Sequence, residues 1–350
     1  MLKQVFFTLL VIGISCDCYS QVGGRSSFRF LDVPVNARLA GVGGMNVSLA
    51  DRDVNLFFQN PGALNSKMNH HFSINYLPYF ADIHTTSLAY AWGRENRTWG
   101  AGLHYMEYGT MERTLEDGTE AGYFSARDYA VMISRSHTIE NITIGVNLKV
   151  VGSHIGLYNA YGILADLGGV FRHPEKDFSI GMVFRNAGFT FIPYTWGEQT
   201  AVPFDARIGM TYKPDHMPFR FSVTAHHLQR FDIVYLDPDQ RGVIDLDGNE
   251  VKPEKKLPDM IARHFVFGGE FLLSENFNIR VGYNHLMRRE MRIPDRIGMA
   301  GFSLGFMMRV KAFEFAYSKA FFHVAGGTNN LTITSNFSTF VKKRDRIKSE

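Results

Sequence analysis

Five stretches of this chain have residue types that could do chemistry, and each depends on the element that would carry it. Gly301-Phe302-Ser303-Leu304-Gly305 has the spacing of a serine nucleophile elbow, which exposes its hydroxyl only on a sharp strand-to-helix turn. Ser303 instead sits in a run of regular alternation, so a chance match is the better reading. Asp245-Leu246-Asp247-Gly248-Asn249-Glu250 starts like a calcium loop, whose twelfth position must supply a carboxylate. Here that position is Lys256, which leaves a polar turn. His70-His71 and His226-His227 offer imidazoles for a metal, yet neighbours on a strand point to opposite faces. They are expected at strand ends or at an interface. Gly41-Val42-Gly43-Gly44 lacks the spacing and the preceding strand of a dinucleotide fingerprint, so its glycines are expected to serve tight backbone turns. No catalytic constellation assembles from these stretches, and no enzyme activity, cofactor or metal is expected.

The elements that would position such residues are strands. Ile142, Ile144, Val146, Leu148 and Val150 alternate with Thr143, Gly145, Asn147 and Lys149, and Phe277, Ile279, Val281 and Tyr283 with Asn278, Arg280, Gly282 and Asn284. Period two places one set on each face of a strand. The apolar faces hold no charge, whereas the opposite faces are rich in Gly, Ser, Thr and Asn and carry Lys149, Asp166, Arg207, Glu270 and Glu314. Fourteen such segments follow one another, near 70–79, 84–93, 97–108, 123–136, 141–152, 160–172, 177–187, 204–213, 218–230, 263–273, 276–287, 297–309, 311–321 and 328–340. Connections after even-numbered segments are short, and most of those after odd-numbered ones are longer, among them 109–122, 188–203 and 231–262.

That asymmetry separates a soluble sandwich from a membrane barrel. Nothing in a sandwich shortens the turns at one end, whereas an outer-membrane barrel has short periplasmic turns, longer extracellular loops, an even strand number and an apolar exterior. Closure also removes the sheet edges that lipid could not satisfy. The fold class expected is all-β, a 14-stranded antiparallel transmembrane β-barrel. Aromatics at strand ends are expected to form interfacial girdles: Tyr76 and Tyr79, Trp92 and Trp99, Tyr105 and Tyr108, Phe189 and Phe191, Phe321 and Phe322.

Composition agrees. The 350 residues include 37 basic against 34 acidic, a net charge of +3, with 45% hydrophobic and 14% aromatic residues, so disorder is excluded. A mean hydropathy of −0.12 excludes a bundle of membrane helices, because polar and apolar positions cancel within each strand. Nucleic-acid binding has no support, since basic residues are dispersed among nearly as many acids.

Residues 1–20 have the tripartite pattern of a secretory signal peptide, with Lys3, an apolar run from Val5 to Ile14 and a cut after Ser20. Acylation of Cys16 is the weaker alternative, because Gly13 stands where an aliphatic residue is wanted. Cys16 and Cys18 are the two cysteines, so the mature chain would have none. Residues 21–69 precede the first strand and are rich in Gly, Asn and Pro; they are expected to form an N-terminal plug. The barrel then spans 70–340, and 341–350 forms a basic periplasmic tail. The long loop 231–262 offers Asp237, Asp239, Asp245, Asp247 and Glu250 as a candidate docking surface for a partner.

The plug region also carries a resemblance. Phe30-Leu31-Asp32-Val33-Pro34-Val35-Asn36-Ala37-Arg38-Leu39-Ala40-Gly41-Val42-Gly43-Gly44, followed by Asn60-Pro61-Gly62-Ala63-Leu64, resembles the N-terminal region of the PorV/PorQ group, outer-membrane barrels of the type IX secretion system of Bacteroidota. Arg263 to Glu270 and His323 to Asn329 fit the PorQ branch of that group. The Asn-Pro motif is shared with the related FadL-like fatty-acid-channel barrels. The resemblance marks Pro34, Asn36, Arg38, Gly43, Gly44, Asn60 and Pro61 as motif residues. It implies a location in the Gram-negative outer membrane among lipid and lipopolysaccharide. It also implies a non-enzymatic role in exporting and anchoring cargo, with PorZ, PorU and PorV as partners. The other use known in the wider family is passive passage of a hydrophobic small molecule.

Overall fold

The computed structural model describes residues 26–80, 82–94, 96–195, 197, 201–234, 243–244, 250–251, 255–291, 298–323 and 326–339. Fourteen strands close into one antiparallel barrel: β1 (His71–Pro78), β2 (His84–Arg94), β3 (Arg97–Thr114), β4 (Glu120–Ile139), β5 (Ile142–Ile155), β6 (Tyr158–Arg172), β7 (Phe178–Ile192), β8 (Asp205–Tyr212), β9 (Phe219–Ala225), β10 (Phe265–Ser274), β11 (Phe277–Asn284), β12 (Phe302–Val310), β13 (Phe313–His323) and β14 (Gly326–Asn336). Each pairs with its sequence neighbours, and β14 closes on β1 from His71↔Asn336 to Tyr76↔Leu331. Among the described residues, no helix is long and apolar enough to cross a membrane.

The alternation decides which way each side chain points. On β5, Ile142, Ile144, Val146, Leu148 and Val150 are each 46–51% exposed, whereas Thr143, Asn147 and Lys149 between them are buried. An apolar outer wall with a polar inner one is the inverse of a soluble barrel and suits hydrocarbon outside. Aromatic bands mark the two margins of that wall. At the short-turn end Trp92 stacks on Trp99 with centroids 6.5 Å apart, and Phe72 stacks on Phe337 at 4.3 Å. At the long-loop end Tyr129, His154, Tyr161 and Phe191 form a ladder across β4 to β7 with spacings of 6.0, 5.7 and 6.4 Å.

The structure departs from the sequence expectation in several places, three of which bear on the lumen and the loops. The stretch 109–122, expected as a loop, is mostly strand: β3 and β4 pair out to Thr114↔Glu120 and project past the aromatic ladder. Strand β9 stops at Ala225 instead of running to 230. Two aromatics assigned to the girdles turn away from lipid. The Tyr108 hydroxyl donates to Asp128 Oδ2 at 2.6 Å and its ring packs inside the barrel, while Phe322 is buried against Tyr79 and Phe80.

The core lies inside the barrel. Residues 28–68 fold into α1 (Ala37–Gly41) and short 3-10 turns, and these fill the lumen. Val54, Leu56, Phe57, Phe58, Leu64 and Met68 are each at most 2% exposed and meet Ala89, Ala91, Met132 and Val170 of the wall. Phe28, Phe30 and Leu31 form a second cluster with Met106, Ala130, Val151, Ala160 and Leu164. The lumen therefore holds apolar cores within a polar wall.

Candidate functional site

Inside the barrel, the polar wall is spent on the backbone of the inserted segment. A segment with so little regular structure leaves many N–H and C=O groups unpaired, and each must find a partner once buried. Wall side chains supply them. Ser303 Oγ of β12 accepts from Gly43 N and donates to Gly41 O, both at 3.1 Å. Thr332 Oγ1 accepts from Ala37 N at 2.9 Å, Asn147 Nδ2 donates to Phe57 O at 2.9 Å, Ser136 Oγ to Leu64 O at 2.8 Å and Ser87 Oγ to Val35 O at 2.7 Å. The serine of the elbow-like string is thus a tether for backbone, on a strand.

The motif residues are where this segment is fixed. Asn36 caps α1 by accepting from Leu39 N at 3.0 Å. Arg38, two residues on, is buried, and its guanidinium grips Glu270 of β10 through two parallel bonds of 2.9 Å, Nε to Oε1 and Nη2 to Oε2. The same guanidinium lies 2.7 Å from Asp51 and 3.6 Å from Asp53, while Arg280 and Arg220 reach Glu270 at 3.1 Å each. Three arginines and three carboxylates thus interlock: Arg38, Asp51 and Asp53 from the inserted segment, and Glu270, Arg220 and Arg280 from the wall. Burial would raise the Asp51 carboxyl, but Arg38 and Arg220 beside it hold it well below the usual carboxylate range. Burial wins at Asp53, whose carboxyl is pushed up.

Gly43 and Gly44 follow with φ of +96° and +97°, a left-handed backbone that glycine adopts without strain. A Cβ on Gly43 would also stand 2.5 Å from Val266 of β10, and one on Gly44 would touch Pro34 at 3.5 Å. Asn60 is fully buried. Its Oδ1 accepts from Gly62 N at 2.9 Å, and its Nδ2 donates to Val47 O at 2.7 Å and to Gly169 O of β6 at 3.2 Å. Pro61 then starts a 3-10 turn that lies so close to the wall that a Cβ on Gly62 would come within 2.7 Å of Gly169. All seven motif residues thus lie in the segment within the lumen.

A second ionic cluster went unpaired in the sequence. Lys149 Nζ bonds Asp166 at 2.7 Å and Asn186 at 2.8 Å, at a bulge where β7 gains a residue against β6 and Asn186 takes φ +56°. Arg207 donates to Gln59 Oε1 at 2.8 Å, and Arg185 Nη2 to Leu31 O at 3.2 Å. The signal was the charges on the polar faces; their partners lie too far off in sequence to be named from it.

The histidines fall at strand ends. His227, just past β9, pairs with Asp205 at 2.9 Å, and its ring meets that of His226 at 4.7 Å. Burial and the neighbouring His227 and Arg207 push the His226 imidazole down to about 3. Among the described residues no group of three His, Cys, Asp or Glu is arranged to hold a metal. Of the candidate docking residues, Asp237, Asp239, Asp245 and Asp247 lie outside the described residues, as do 1–25 and the tail 340–350. Glu250 pairs with Ile244 in a small antiparallel sheet whose two strands are two residues each. The same long loop ends in α2 (Leu257–Ala262), where Asp259 binds Arg263 at 2.9 Å and, on α3 (His285–Glu290), Arg289 at 2.8 Å.

Comparison with solved structures gives the same architecture. The toluene transporter TodX of P. putida aligns over 88% of this chain and 99% of its own, with 10% identity and a TM-score of 0.52. A FadL homologue of Pseudomonas aeruginosa aligns over 87% and 98%, with 12% identity and a TM-score of 0.51. At such identity the likeness is one of fold. No curated protein matches the sequence. Residues 15–194 match an uncharacterised protein family, UPF0164.

Proposed function

We propose, from the premise that this chain belongs to the uncharacterised protein family UPF0164, that it is a non-enzymatic outer-membrane barrel that works through its extracellular face. On this reading it docks surface proteins of a type IX secretion system, PorZ-like partners above all, and supports cargo export from a Bacteroidota cell. The observation that carries the reading is the filled lumen. Apolar cores, a three-arginine ion-pair cluster and hydrogen bonds with at least five wall side chains hold the inserted segment, which suits a scaffold better than a conduit. The resemblance of residues 30–44 and 60–64 to the PorV/PorQ group supplies the partner class. The test is deletion of residues 238–256, followed by measurement of partner retention at the cell surface and of cargo secretion. Loss of both is expected; unchanged retention and secretion would reject loop docking.

The second reading is a passive channel for a hydrophobic small molecule, and the structural comparisons favour it. One neighbour is described as a toluene transporter and another as a FadL homologue. This reading requires the inserted segment to move. Ser48 of the inserted segment and Thr211 of β8 have their hydroxyls 2.7 Å apart, and uptake of toluene into vesicles holding the purified barrel, above that of vesicles holding a variant cross-linked between these two positions, would establish it in place of the first.

A further inference from the structure

At the short-turn end, on the outside of the barrel, a shallow groove of about 830 Å³ opens among His70, Trp92, Asn96, Arg97, Trp99 and His137. It is built in two tiers by strand register. Trp92 stands opposite Trp99, and Trp99 opposite Arg135, so these three share one rung across β2, β3 and β4. The indoles lie nearly parallel, 11° apart, and the Arg135 guanidinium carbon sits 5.0 Å from the Trp99 ring centroid. Two residues nearer the turn, Arg97 stands opposite His137 on the next rung. His70 completes the lip, its Nδ1 hydrogen-bonded with the Tyr90 hydroxyl at 3.2 Å. Among the described residues, no carboxylate lines the groove.

The tiers match one chemistry. The indole floor continues the aromatic band that borders the apolar wall, so it lies level with acyl chains; the lip, at the turn, reaches water and is cationic. Indoles favour the margin of a bilayer, and arginine recognises phosphate oxygens through paired N–H donors. We infer that this groove is a binding site for an anionic phospholipid of the leaflet at the short-turn end, its phosphate held by Arg97 and Arg135 and its chains laid along Trp92 and Trp99. A zwitterionic lipid carries its own ammonium to the same lip and is disfavoured there. A soluble phosphate ion would have no use for the indole floor.

The two indoles report the occupant directly. The chain has three tryptophans, so Trp196→Phe leaves Trp92 and Trp99 as the fluorophores. The full barrel carrying that change is placed in vesicles of unlabelled phosphatidylcholine with increasing fractions of acyl-brominated phosphatidylglycerol or acyl-brominated phosphatidylcholine. Half-maximal quenching is expected at about a thirtyfold lower fraction of the anionic lipid, the scale set by two arginines at a membrane surface. Arg97→Gln, and separately Arg97→Gln with Arg135→Gln, should bring the two curves together while leaving quenching by brominated phosphatidylcholine unchanged. Heat-modifiable migration on a gel verifies that each variant is a closed barrel. Equal half-quenching fractions in the parent barrel overturn the site, as does a preference that survives both arginine changes, because the lipids are then an unselective shell.

Discussion

Replacing Arg38 with methionine should loosen the inserted segment by a predictable factor. The substitution keeps most of the side-chain volume and removes the fork that grips Glu270. Glu270 retains Arg280 and Arg220, and Asp51 retains Arg220 at 3.6 Å, but Asp53 loses its partner at 3.6 Å. Removing one side of a buried pair costs about 3–5 kcal/mol. Asp53, whose carboxyl burial already pushes up, can take a proton and relieve part of the excess negative charge. The cost is therefore placed at about 3 kcal/mol, or about two orders of magnitude in the equilibrium for release. A chain starting at Gln21 has no cysteine, so Ser48→Cys, a nearly isosteric change at a fully buried site, gives a unique thiol in the segment. Its labelling by a water-soluble maleimide should quicken about 100-fold when Arg38→Met is added. Arg38→Lys should fall between, since an ammonium cannot form the paired bonds. Arg38→Met with Glu270→Gln should recover part of the loss. The depressed Asp51 carboxyl also sets a pH dependence: its contribution is present above the usual carboxylate value near 3.8 and fades as pH falls below it, so the segment should loosen only in strong acid. An acceleration below threefold for Arg38→Met would refute the claim that this cluster anchors the segment.

Three other outcomes are expected. Val281→Arg and Phe306→Arg, at outward positions in the middle of β11 and β12, should each cost about 2–4 kcal/mol in a lipid refolding assay, and no cost would mean that this face does not meet hydrocarbon. His226 is buried and its imidazole lies at about 3 against an ordinary value of 6.5, so it folds neutral. Its contribution is full above pH 6.5 and is lost as pH falls toward 3; at pH 5 the loss is about 2 kcal/mol, and His226→Phe should flatten the melting temperature between pH 6.5 and 5. Asn60→Ala strands the Gly62 N–H and the Val47 carbonyl, and should cost about 2–4 kcal/mol and raise labelling at position 48 without changing the barrel's circular dichroism.

The barrel was legible because lipid imposes a rule on every spanning strand. Ile142 to Val150 on β5 and Phe277 to Tyr283 on β11 show the period without interruption. Where lipid stops, so does the rule. The outer parts of β3 and β4 stand in water, so Glu112, Arg113, Glu120 and Gly122 carry no alternation and the segment passes for a loop. Tyr108 was misplaced because the pairing slips between Glu107 and Thr110, which turns the ring inward. The inserted segment was recognisable from its glycines and Asn-Pro motif, but its anchors were not. Arg38 and Glu270 lie 232 positions apart, and Ser303 and Thr332 looked like ordinary lumen residues until the backbone they bind was in place.

The wall tethers have a bearing on how the molecule is made. Ala37 is bound by Thr332 of the last strand, Asn60 by Gly169 of the sixth, and Asn55 and Asn75 link the segment to the first at 2.8 Å. Partners so widely spread around the circumference come together only when β14 meets β1. A barrel that zipped up empty would shut out a chain that cannot be threaded back without breaking many bonds at once. The inserted residues are thus the mandrel around which the sheet is rolled, required in place by the moment the seam closes.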